Sequence, residues 1–214
     1  MVRVAFLIDG FNLYHSAKSA SHALGLNEAG TKWLDIAGLC RSYLHLFGKA
    51  AVLHEIHYFS ALAKHLEATK PDVTARHQAY LACLSDSGVR VELSRFKRKR
   101  FKCEKCGANL KRHEEKETDV AVATKLLELF VTGAADLVVL VTGDTDVAPA
   151  VRTAARLFPQ KRVCFAFPYD RKNEELAQLV SMSFHMSKEA YAKHQFPDPY
   201  KTSSGRTIPK PQAW

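Results

Sequence analysis

Residues 137–147 read Leu-Val-Val-Leu-Val-Thr-Gly-Asp-Thr-Asp-Val. Five consecutive apolar residues, three of them β-branched, describe a short strand covered on both faces. A parallel sheet buried between helices requires such strands, whereas a half-solvated antiparallel sheet would alternate apolar with polar. Asp144 and Asp146 flank the turn that follows, and a helix is expected from Asp146 to Leu157. The chain opens on a stretch of the same design, Val2–Ile8, interrupted only by Arg3 and ended by Asp9-Gly10. Residues just past the carboxyl ends of parallel strands converge on one crevice, so these two stretches aim three aspartates at one place.

Further strands are expected at Val52–Ala61, Val89–Leu93 and Arg162–Phe167. Helices are expected at Phe11–Leu24, Trp33–Phe47, Glu117–Phe130 and Asn173–Val180, with another starting near Pro71 and burying Val73, His77, Tyr80, Leu81 and Leu84. In the helix from Glu117, the apolar stripe is Val120, Ala123, Leu126, Leu127 and Phe130, and Asp119 stands in the first turn, where the helix dipole favours an acid. Strands alternating with helices predict an α/β protein with a mostly parallel central sheet and helices on both faces. One domain over 1–195 is expected, with a basic loop insertion at about 95–113 that carries at most a small hairpin around Cys103 to Gly107. From Phe196 onward, prolines, serines and threonines with little apolar content predict a flexible or loosely docked tail over 196–214.

At 214 residues, 47% hydrophobic and 25% charged, the composition excludes a disordered or fibrous chain. No apolar run approaches the roughly 20 residues of a membrane helix, and the opening residues lack the features of a secretory signal, so a cytoplasmic protein with no membrane partner is expected. Five cysteines, three of them isolated in apolar stretches, argue against a disulfide framework. The formal charge of +9 points to an anionic partner. Its distribution is uneven: nine lysines and arginines stand between Arg95 and His113 against the single Glu104, so nearly all the net charge lies in this one segment.

Carboxylates gathered at one crevice repel each other unless a cation neutralises them or some are protonated. All-oxygen ligands suit Mg²⁺ or Mn²⁺, which retain waters, engage phosphates and activate water for attack on a phosphodiester. Asn12 stands where its amide can reach back to Asp9. Taken singly, each aspartate also reads as a turn or cap residue. Their occurrence together at strand and helix ends favours the site.

Ile-Asp-Gly-Phe-Asn-Leu at 8–13, Glu-Lys-Glu-Thr-Asp-Val at 115–120 and Thr-Gly-Asp-Thr-Asp-Val at 142–147 resemble the NYN domain family of the PIN-like nuclease superfamily. The resemblance spans most of residues 1 to about 170. It implies a PIN-like three-layer fold and a Mg²⁺- or Mn²⁺-dependent ribonuclease. Asp9, Asp119, Asp144 and Asp146 would form its acidic metal site, with Asn12 in support. Where relatives carry glycine after the Glu-Lys pair this chain has Glu117, which leaves open whether Glu115 or Glu117 also faces the metal.

Lys97, Arg98, Lys99, Arg100 and Lys102, interleaved with Phe96 and Phe101, are expected to track a nucleic-acid backbone and offer faces for base stacking. Cys103 and Cys106 resemble half of a zinc knuckle, with His113 a candidate third ligand for Zn²⁺. The expected partner is RNA, with DNA and a second copy of the chain left open. Two other readings are weighed: a non-catalytic RNA-binding or adaptor module that retains the nuclease fold, and a metal-dependent phosphatase or nucleotidase. The four acids count against the first. So extended a cationic segment counts against the second.

Overall fold

Strand β1 (Val2–Asp9) lies at the centre of the molecule and is paired in parallel on both sides, with β2 (Ala51–Ala61) and β5 (Leu137–Val141). Its side chains alternate between two cores, Val4, Phe6 and Ile8 entering one and Ala5 and Leu7 the other, as the two-residue period of a strand requires. The structure, a computed structural model, describes residues 1–27, 30–102 and 104–214. With β3 (Arg90–Lys102), β4 (Asn109–Lys116), β6 (Arg162–Phe167) and β7 (Ser183–His185), the sheet has seven strands in the order β4-β3-β2-β1-β5-β6-β7. Only the β3–β4 pair is antiparallel.

Helices α1 (Gly10–Ala23), α2 (Ile36–Ser42), α3 (Val73–Asp86) and α7 (Lys188–Lys193) cover the face that carries Phe6 and Ile8. Helices α4 (Thr118–Val131), α5 (Ala148–Leu157) and α6 (Glu174–Gln178) cover the other. The result is a three-layer α/β fold. On the first face the fully buried Trp33 is anchored by its indole N–H, which donates to the Pro197 carbonyl at 3.2 Å. Burying a large apolar side chain of this kind contributes roughly 1.5–3 kcal/mol. Among the described residues, no helix is long and apolar enough to cross a membrane.

The structure departs from the sequence expectations in several places. The helix expected over 33–47 is broken: Asp35 accepts from the Gly38 N–H and starts α2, which gives way to a 3₁₀ turn at Leu44–Phe47. The buried stripe of α4 is Val122, Leu126, Leu129 and Phe130, and Val120 is 69% exposed. Asp119 sets this register, because residues three, seven and ten positions on share its side of the helix. The helix expected from Asp146 begins instead as a 3₁₀ turn at Thr145–Val147, and the one expected over 173–180 is reduced to the five residues of α6.

The segment expected to be a basic loop is a long hairpin. β3 runs without a break from the sheet into solvent and β4 returns antiparallel to it. Lysines and arginines occupy both faces of this projection, so neither face shows an apolar period. The segment expected to be a loose tail is docked instead. β8 (Tyr200–Lys201) pairs with β9 (Thr207–Ile208), Phe196 and Ile208 are buried, and the Trp214 ring lies 4.7 Å from that of Tyr80.

Candidate active site

The chain leaves β1 through β2 to β3 on one side and takes up β5, β6 and β7 on the other, so the order of strands reverses between β1 and β5. Open α/β sheets place their ligands at this switch point. Asp9 ends β1, and the register that pairs Ile8 with Val141 brings Thr142 beside it. The Thr142 hydroxyl donates to Asp9 Oδ2 at 3.0 Å and accepts from the Asp144 N–H at 3.1 Å. Asn12 bridges the same two strand ends: its Nδ2 donates to Asp9 Oδ2 at 2.7 Å and its Oδ1 accepts from the Gly143 N–H at 3.2 Å. Gly143 is required here, since any side chain would run into the Arg171 carbonyl.

Asp9 Oδ1 caps α1, accepting from the N–H groups of Phe11 and Asn12, each at 3.0 Å. With Asn12 and Thr142 on Oδ2, this carboxylate accepts four hydrogen bonds, about the capacity of its lone pairs. A cation bound directly to Asp9 therefore displaces one of these donors, whereas one held through a water does not. Asp144 Oδ1 similarly accepts from the Asp146 N–H at 3.1 Å. The cap reading and the site reading of these acids are thus compatible.

Asp119 opens α4 at the same end of the sheet. Burial, and then the carboxylates of Asp144, Asp9 and Asp146, push it up to about 6. Burial also pushes Glu115, at the end of β4, up to about 7; Asp9 and Asp119 add to that, and a hydrogen bond from the Thr118 hydroxyl opposes it. The fold therefore brings all four expected aspartates into mutual range and adds Glu115. Glu117 points away, paired with Arg95 at 2.6 Å. Its φ of 82° is left-handed, the conformation glycine adopts without strain. Among the described residues no three acidic, histidine or cysteine side chains stand close enough together to hold a metal ion between them. The donor set nonetheless fits a magnesium-like ion, which takes one or two carboxylates and keeps its waters. Thr142 was missed in the sequence, where nothing marks it apart from its place between a strand and an acid.

The hairpin divides the basic residues between two faces. Phe96 pairs in register with Glu115 and Arg98 with His113, so Phe96, Arg98, Arg100 and Lys102 continue the face that carries Glu115. Lys97 and Lys99 lie on the opposite face with Arg95, where Glu114 stands 3.7 Å from Lys99 and Glu117 holds Arg95. Of the residues considered for zinc, Cys103 lies outside the described residues. Cys106 is an exposed free thiol, and the His113 ring stacks on that of His65 at 4.2 Å. These observations give the Zn²⁺ expectation no support.

Among solved structures, the chain is similar to a protein of unknown function from Vibrio parahaemolyticus, at 15% identity and TM-score 0.56, covering 87% of this chain and 93% of that one. This likeness is one of fold alone. Matches to MurG of Acinetobacter baumannii (12% identity, TM-score 0.37, 94% of this chain and 45% of that one) and to MnaA of S. aureus (14%, 0.35, 89% and 40%) are too loose to bear on function. No curated protein matches the sequence. The family model of the NYN domain matches residues 3–181, five-sixths of the chain and all three acidic segments, and the chain therefore belongs to the NYN domain family, whose members are in general nucleases.

Proposed function

We propose that this chain is a metal-dependent ribonuclease that hydrolyses RNA phosphodiester bonds with Mg²⁺ or Mn²⁺. The observation that carries the reading is the convergence of Asp9, Glu115, Asp119, Asp144 and Asp146 at the switch point of the sheet. There, repulsion adds to burial in raising Asp119 and Glu115. A divalent ion relieves such repulsion and, when bound, polarises the phosphate and lowers the pKa of a coordinated water. One or two of Asp119, Asp144 and Asp146 would hold it directly, and the remaining acids, Asp9 among them, would reach it through its waters. Asn12 and Thr142 fix the Asp9 carboxylate and thereby the distance between the ends of β1 and β5. Glu115, half-buried beside these acids, is placed to exchange a proton with the reacting oxygens.

The hairpin supplies the substrate's other contacts. Arg98, Arg100 and Lys102 on the Glu115 face meet backbone phosphates of the strand, and Lys97 and Lys99 add long-range attraction. The decisive experiment incubates the purified protein with end-labelled RNA and DNA in Mn²⁺, Mg²⁺ or EDTA beside Asp144→Asn. Cleavage of RNA that needs the metal and is lost in the variant is expected. Equal cleavage by wild type and variant, or none in any metal, would overturn the reading.

A further inference from the structure

Next to the Asp9–Asn12 turn, where Gly10 and Phe11 contribute to its lining, lies a cavity of about 350 Å³. This falls within the range of small-molecule sites. It begins at Gly10, and two sets of rings wall it. On one side Phe96 stands 5.7 Å from Phe11 and 4.6 Å from His65; on the other Trp214 stands 6.3 Å from Tyr14 and 6.1 Å from His77. A side chain on Gly10 would strike the Phe59 carbonyl and the Tyr58 ring, so the start of α1 packs tightly on β2 at this edge of the cavity.

His65 Nδ1 and Arg76 Nε belong to residues of this lining and have no hydrogen-bond partner among the described residues, but both atoms are closed off from solvent and do not face the cavity. Ser60 Oγ and His77 Nε2 stand 3.5 Å apart in the same wall. Burial pulls His77 down to about 4, so its ring is neutral at physiological pH and presents no charge to a ligand. The cavity is therefore lined by aromatic rings, with the Ser60 hydroxyl and the neutral His77 ring among its polar groups. Planar heterocycles have this chemistry, whereas phosphates and aliphatic chains do not.

We propose that this cavity receives one unpaired nucleobase of the nucleic-acid strand whose backbone crosses the acidic centre, stacked between the Phe11–Phe96 and Tyr14–Trp214 walls. The inference rests on the reading of the substrate as nucleic acid. A base inside a duplex is stacked and paired and reaches the cavity only by extrusion, which costs a few kcal/mol. Single strands are accordingly the preferred substrate. The wall supplied by Trp214 comes from the segment after Phe196, which gives that segment a part in substrate binding.

The test uses short single-stranded RNAs with 2-aminopurine at each position in turn, and matching RNAs with an abasic residue there, bound in Ca²⁺. Wild-type protein should quench one position strongly and bind the RNA abasic at that position about tenfold more weakly, the loss of one base stack. Ala63→Phe places a ring in the cavity from a half-exposed position and should abolish both the quench and the difference between the two RNAs. Trp214→Ala, which removes one wall, should reduce both, with circular dichroism checking the fold of each variant. Uniform fluorescence at every position, or a base-dependent difference that survives in Ala63→Phe, would overturn the inference. Cleavage by wild type without a quenched position refutes the cavity alone. A quenched position lost in Ala63→Phe, without cleavage in any metal, refutes hydrolysis alone.

Discussion

Thr142 donates its hydroxyl to Asp9 across the gap between β5 and β1, and this 3.0 Å bond joins two acidic segments that lie 133 positions apart in the chain. Thr142→Val keeps the shape and removes the donor. The buried Asp9 carboxylate then loses one of four partners, which should cost about 1–2 kcal/mol of stability by denaturant unfolding. Cleavage should fall further than binding, since the bond that ties the Asp9 carboxylate to the end of β5 is lost while its three contacts within the Asp9–Asn12 turn remain. Wild-type kcat in a measurably destabilised variant would show that Asp9 needs no such positioning.

Asp119→Asn and Asp144→Asn should each reduce cleavage by on the order of 10²-fold or more, the scale of losing one preorganised charge at a reacting centre. The same changes relieve repulsion. In EDTA the melting temperature should hold or rise, by about 2–4 °C for each kcal/mol gained in a chain of this size. A fall of several degrees in EDTA would mean that these acids stabilise the fold and do not strain it.

Arg98→Ala with Arg100→Ala should weaken RNA binding more than Lys97→Ala with Lys99→Ala, although both pairs remove two charges from adjacent positions. Strand alternation places only the first pair on the Glu115 face. Each lost phosphate contact should lower the log–log salt slope by about 0.7 on a single strand. Equal losses from the two pairs would reduce the hairpin to a diffuse cationic surface.

Glu117→Gly should stabilise the protein by about 0.5–1 kcal/mol, since the residue before α4 holds φ at 82°. The exposed pair with Arg95 that is lost contributes little. Urea unfolding of the variant tests this, and a midpoint below that of wild type would contradict it.

His77 is largely buried and held near 4, below the ordinary histidine value of 6.5. Below pH 6.5 the unfolded chain takes up a proton that the folded one refuses. Its neutral ring therefore contributes stability that is complete above pH 6.5 and lost as the pH falls toward 4. The loss amounts to at most about 3 kcal/mol. His77→Gln removes this dependence, so wild type and variant should diverge across that window and run parallel above it. Parallel curves from pH 7 to pH 4 would show that the group titrates normally.

The sequence by itself determined the layered α/β fold and the acids at its switch point. Buried parallel strands such as Leu137–Val141 and the turns that end them are local patterns, set by a few residues of near neighbours. It also placed the basic charge, but not its form. β3 and β4 project beyond the layers, where both faces are polar and no period exists to be read. Only the tertiary structure put Glu115 in range of Asp9 and paired Glu117 with Arg95 instead, since both contacts join segments distant in the chain. The same holds for the docking of Trp214 against Tyr14, His77 and Tyr80. That contact joins residues more than 130 positions apart, and its energy comes from apolar surfaces that exist only once the sheet and its helices have assembled.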